Sequence, residues 1–287
     1  MENAIQIQNL SKTYANFALK NVSFTVPSGC IMGLVGRNGA GKTTTIRAII
    51  GSLHTDGGTV RVLGHDVSDK DFYRCREEIG IVFDEFFMCQ SYKAKMVDKY
   101  MATLYKNWDS GKFFELLKQF EVPMTTKVRD LSRGNKMKMS IATALSHKPK
   151  LLVLDEPTGG LDPVVRDEIL DIFNDFTRNE DCSVLLSSHI VSDLEKICDY
   201  ITFLDNGRCL VSEEKDKLLE TYGLISCDKK VLDELDSTAI FGIKRTPYGV
   251  HALVDRHKVP KSFKVEKATL EDIFLYMSNG RKERDSR

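Results

Sequence analysis

Gly36-Arg37-Asn38-Gly39-Ala40-Gly41-Lys42-Thr43 narrows the possible folds most, because an apolar run at 30–35 precedes it and a helical pattern follows it. A glycine-rich turn between a buried strand and a helix lets backbone N–H groups curl around phosphate oxygens. The helix N-terminus adds partial positive charge, Lys42 reaches the β- and γ-phosphates, and Thr43 offers its hydroxyl to Mg2+. Ile46, Ile49 and Ile50 fall on one face of the following helix, which stops at Gly51, as a helix packed on a sheet should.

Further apolar runs of strand character recur at 79–83, 151–154, 184–186 and 201–204, with helix-like segments between several of them. That alternation predicts an α/β fold with a mostly parallel central sheet. Residues 4–8 and 59–62 alternate apolar with polar instead, predicting a separate antiparallel β subdomain. From about 86 to 146 the pattern turns helical, and Phe113, Phe114, Leu116, Leu117 and Phe120 form one stripe of an inserted helical subdomain. After Arg208 the phosphate-type motifs cease. Two strands at 239–243 and 250–254 and a helix near 270–277 predict a small α+β appendage over 216–287, behind a main domain over 1–215.

Composition excludes several classes. Among 287 residues, 41 basic and 41 acidic side chains cancel, so no global positive field favours nucleic acid. Seven scattered cysteines, none spaced C-x-x-C, argue for reduced thiols in the cytosol. The first residues show no basic region followed by an apolar one, and no apolar run approaches the ~20 residues of a membrane span. Any membrane role is expected to come through a partner.

The run Leu151-Leu152-Val153-Leu154-Asp155-Glu156-Pro157 is a buried strand ending in two acids, and Pro157 stops the ladder. Asp155 is placed to hold the metal, and Glu156 to polarise the water that attacks a γ-phosphate. Further upstream, Leu131-Ser132-Arg133-Gly134-Asn135 opens a helix, with Ser132 as the candidate N-cap.

Together these three elements resemble ATP-binding-cassette (ABC) proteins, whose signature normally reads Leu-Ser-Gly-Gly-Gln; the resemblance spans roughly residues 2–215. It implies a phosphate-loop ATPase fold with ATP and Mg2+ as cofactors. ATP would lie on Gly36, Arg37, Asn38, Gly39, Ala40, Gly41, Lys42, Thr43 and Thr44 of one subunit, capped by Ser132 and Gly134 of another in a head-to-tail homodimer or paralogous heterodimer. Tyr14 falls where the family stacks an aromatic on adenine, Gly160-Leu161-Asp162 where a loop communicates between the two sites, and His189 where a histidine touches the γ-phosphate. Glu156, His189 and Lys42 are thus the catalytic candidates. Two departures stand out: Arg133 and Asn135 in the signature, and Asp84 where the family usually has glutamine. Asp84 is expected beside the metal with Thr43 and Asp155.

The segment Ala268-Thr269-Leu270-Glu271-Asp272-Ile273-Phe274 resembles the close of ATPase subunits of bacterial drug, lantibiotic and polysaccharide exporters. The resemblance implies a cytoplasmic subunit, peripheral at the membrane, driving a separate membrane-spanning permease. The alternative is a soluble cassette ATPase acting on nucleic acid or ribosomes. Such proteins usually fuse two cassettes or insert a long coiled coil, whereas this chain has one cassette and no sustained heptads between Thr43 and Ser132.

Overall fold

A computed structural model describes residues 3–84, 86–227, 232, 235–246 and 249–285. The chain begins with strands β1 (Asn3–Tyr14), β2 (Phe17–Pro27) and β3 (Ile31–Val35), helix α1 (Lys42–Ile49), strands β4 (Gly57–Val62) and β5 (His65–Asp66), helix α2 (Phe72–Cys75) and strand β6 (Ile79–Val82). Three helices follow, α3 (Ala94–Leu104), α4 (Ser110–Gln119) and α5 (Arg133–Leu145). Then come β7 (Leu151–Asp155), α6 (Pro163–Phe176), β8 (Ser183–Ser188), α7 (Val191–Ile197), β9 (Tyr200–Asp205) and β10 (Arg208–Glu214). The last part holds α8 (Lys215–Thr221), β11 (Tyr222–Cys227), β12 (Ile240–Thr246), β13 (Gly249–Asp255), β14 (Glu266–Lys267) and α9 (Leu270–Asp285).

The central sheet runs β10-β9-β3-β8-β7-β6, parallel except for the β9–β10 hairpin at its edge. Every residue of β3, β7 and β8 is buried, which is why β3 and β7 up to Asp155 read as continuous apolar runs and β8 carries one over 184–186. Their alternate side chains feed two cores. Met32, Leu34, Val153 and Leu185 pack with α1 and the antiparallel sheet β2-β1-β4-β5, whereas Ile31, Val35, Leu154 and Leu186 face α3 to α7 and α9.

Helix α4 starts where Asp109 Oδ1 accepts from Lys112 N at 2.9 Å, and its expected stripe buries Phe113 and Leu117 completely. Strand β2, the edge strand β10 and strand β11 carry no expectation from the sequence reading. Each is stabilised by antiparallel pairing with a neighbour, and the half-buried pattern of β10 leaves no continuous apolar run to read. The third sheet, β12-β13-β11-β14, is covered by α9, which opens with a reciprocal cap between Thr269 and Asp272. Phe274 on α9 meets Phe203 of β9 at 5.3 Å between ring centres, so the last helix is docked on the central sheet.

One buried histidine has a consequence for stability. His147, 2% exposed after α5, stacks on Tyr105 at 4.1 Å and sets Nε2 3.3 Å from Ile79 O. Its Nδ1 has no hydrogen-bond partner among the described residues. Burial holds its pKa below the ordinary 6.5, only partly offset by the carbonyls of Ile79 and Thr143. The unfolded chain therefore binds this proton first on acidification. The stabilising contribution of neutral His147 is present above about pH 6.5 and is lost as pH falls towards the folded-state pKa. Thermal midpoints between pH 7.5 and 5 should fall in the parent and fall less in His147→Phe, which keeps the stack; parallel curves would refute the assignment.

Candidate functional site

The C-terminal ends of β3, β7 and β8 lie side by side, and each delivers part of one site. Beyond β3, Gly36 has no room for a side chain, since a Cβ there would stand 2.6 Å from Leu204 O. Gly41, at φ +110, turns the chain into α1 beneath Phe17 and Leu19. Arg37, Asn38 and Gly39 are exposed at the rim, as is Thr43; Ala40 is buried and Thr44 half-buried. This is a loop with open backbone on one side and a helix N-terminus behind it, which suits a polyphosphate.

Lys42 is only 6% exposed. Its Nζ donates to Gly36 O at 2.7 Å and lies 3.0 Å from Glu156 Oε1. Asp155 ends β7 with both carboxylate oxygens engaged: Thr43 Oγ1 donates at 2.8 Å and Ser187 Oγ, from β8, at 2.6 Å. A buried carboxylate beside a threonine hydroxyl at a phosphate loop is a hard-oxygen donor set of the kind that holds Mg2+ together with substrate phosphates. Among the described residues no cluster of three acidic, histidine or cysteine side chains offers an all-protein metal cage. The donors present therefore fit a metal completed by phosphate oxygens.

Glu156 adopts φ +53, a backbone region that residues other than glycine rarely occupy. That turn brings its carboxylate back over the site, where Oε2 is 2.7 Å from His189 Nδ1 and accepts from His189 N at 3.3 Å. Lys42, Glu156 and His189 thus form one contiguous row. Tyr14, 43% exposed at the β1–β2 turn, stacks on Phe17 with ring centres 6.5 Å apart. Phe17 is the ring that crowds Gly41, so the aromatic face stands next to the phosphate loop.

Ser132 caps α5 by accepting from Asn135 N at 3.2 Å, and it is exposed together with Arg133 at the helix start. Gly134 approaches Leu161, and Asp162 caps α6 through Val165 N at 3.1 Å, with Pro163 in the first turn. Asp84, expected beside the metal, is held by Arg133: its Oδ1 accepts from Nη2. The residues not anticipated are Ser187 and a trio of buried Thr158 and Asp193 with half-buried Arg166. Thr158 Oγ1 donates to Asp193 Oδ2 at 2.8 Å and Arg166 lies 3.6 Å from Oδ1, tying the loop after Glu156 to the helix after His189. Ser187 was visible as a hydroxyl in an apolar strand; the trio depends on tertiary contact alone.

The ABC transporter family model matches residues 19–159. The ABC transporter ATP-binding protein YtrB of Bacillus subtilis is 35% identical over 76% of this chain and 74% of its own length. The lantibiotic transport ATP-binding protein SrtF of Streptococcus pyogenes is 33% identical over 74% of this chain and 91% of its own. Among solved structures, the dimeric bacterial ABC transporter cassette MJ0796 superposes with a TM-score of 0.66 at 25% identity, covering 73% of this chain and 98% of that one. With these relatives and a phosphate loop, acidic strand end and histidine set in contact, the chain belongs to the ABC transporter ATP-binding proteins and is an ATPase.

Proposed function

We propose that this chain is the ATP-hydrolysing subunit of an exporter, which works as a head-to-tail dimer on a separate permease at the cytoplasmic face of a membrane. The observation that carries the hydrolytic part is the row Lys42, Glu156, His189, with Glu156 within 3.0 Å of one and 2.7 Å of the other. In this reading Glu156 takes the proton of the attacking water, His189 orients that water against the γ-phosphate, and Lys42 binds the β- and γ-phosphates. Thr43 and Asp155 would hold Mg2+, which neutralises charge on the phosphates when bound. A metal role for Asp84 would have to be shared with its hold on Arg133. Tyr14 supports the adenine.

Residues 216–287 are read as an accessory domain, and a transport role is supported by relatives such as SrtF, a lantibiotic transport ATP-binding protein. Among the described residues no helix is long and apolar enough to cross a membrane, and in this reading the spanning part is a separate permease. Phe87, 75% exposed beside a 720 Å3 groove shared with Phe83, Phe86 and Met88, gives that polypeptide an apolar surface. The dimer is supported by the exposure of Ser132 at the start of α5, where a helix N-terminus faces outward.

Two experiments test this function. Lys42→Ala removes a charge that meets the phosphates, and should weaken ATP binding roughly 10-fold or more. Glu156→Gln keeps shape and loses basicity, and should bind ATP while cutting turnover by ~100-fold or more. Equilibrium binding and steady-state phosphate release separate the two; undiminished release by Glu156→Gln would remove it as the base. For the dimer, Glu156→Gln should sediment as a monomer alone and as a dimer with ATP and Mg2+. A monomer at every ATP concentration would contradict the shared site.

A further inference from the structure

Two of the three side chains that depart from the family pattern, Asp84 after β6 and Arg133 in the first turn of α5, are partners. Arg133 is poorly placed by its own local rules. A cation in the first turn opposes the helix dipole, which favours anions there. An aspartate in place of a neutral glutamine brings a charge that a nearby cation stabilises. Together the charges compensate.

The guanidinium has a second neighbour. A Cβ on Gly160 would stand 2.6 Å from Arg133 Nη1 and 3.0 Å from Cζ, so Arg133 lies directly over the backbone of that residue, which takes φ +69. One on Gly159 would meet Nη2 at 3.7 Å. Three loops therefore meet at one side chain: the exit of β6, the start of α5 with Ser132 and Gly134, and the segment from Glu156 to Asp162. The last is pinned on its other side by Thr158 and Asp193.

We propose that Arg133 is a positioning residue for ATP hydrolysis, fixing Ser132 and Gly134 against the loop that carries Glu156 through its contacts with Asp84 and Gly160. The inference rests on the shared-site reading above, since Ser132 and Gly134 act on the partner's nucleotide. Arg133 thereby joins, within one subunit, the surface offered to the second site and the loop beside the first. The pair is half-exposed, at 54% and 51%, so its effect lies in geometry more than in global stability. A fork of several donors can hold a carboxylate and cover a backbone at once, which a lysine ammonium cannot do.

The test is a double-mutant cycle on the full chain with Asp84→Asn, Arg133→Met and both together. Each single variant should lower kcat about 5-fold or more while KM for ATP stays within about twofold, because Lys42 and the phosphate loop are untouched. The double variant should be no slower than the worse single one, since both remove the same contact. Thermal midpoints should agree within about 3 °C. Arg133→Lys, which keeps the charge and loses the fork, should fall between parent and Arg133→Met, and covers the case in which the methionine variant does not fold. Parental kcat in the single variants, or independent multiplying losses, would overturn the inference. The same cycle sedimented in the Glu156→Gln background tells the two readings apart. If Glu156→Gln itself never dimerises with ATP, the shared site fails and takes Arg133's role with it. If it dimerises while Arg133→Met hydrolyses at the parental rate, only the role of Arg133 falls.

Discussion

An ammonium group taken out of water needs compensation, and Lys42 finds it in Gly36 O and the Glu156 carboxylate. Much of the site follows from that requirement. Gly36 must lack a side chain because Leu204 O stands where its Cβ would be, and Gly41 must turn the chain so that Lys42 points back over the loop. Glu156 must leave β7 at an angle that no regular strand provides. Removing one partner of a buried pair commonly costs about 3–5 kcal/mol, so neither side chain is easily replaced.

The sheet order supplies the convergence. β3 lies between β9 and β8, and β7 lies beside β8, so the phosphate loop, Asp155 and Ser187 emerge at one edge without a long connection. Ser187 shows how this works: its hydroxyl donates to Asp155 while its carbonyl accepts from Glu156 N at 3.1 Å. One strand therefore orients both acids of its neighbour. His189 then follows two residues later on the same strand exit, which is why a histidine so close in sequence reaches Glu156.

The parts legible in the sequence were those governed by local rules. Glycines of the phosphate loop, a capping Ser132 and apolar β3 and β7 each declare themselves within a few residues, and the structure contains them. Strands β10 and β11 were not legible, because antiparallel partners rather than their own patterns hold them. Asp84 was recognised as a departure, yet nothing in its neighbourhood names Arg133, 49 residues further on. The Thr158–Asp193–Arg166 contact was hidden for the same reason: a buried aspartate on a short helix carries no periodic signature.

Glu156 unites the local and the tertiary constraints. Holding a glutamate at φ +53 costs of order 1–3 kcal/mol, and such strain persists only where surrounding contacts over-determine it. Here Lys42 pulls on one carboxylate oxygen and His189 on the other, while Ser187 receives its N–H. The backbone, rather than side-chain freedom, thus aims the acid. An isosteric glutamine keeps the size and one acceptor but cannot satisfy a lysine and a histidine as an anion does. The same three contacts that make the strained conformation tolerable are therefore the ones that fix where its charged oxygens stand, which is what the proposed role of Glu156 as base requires.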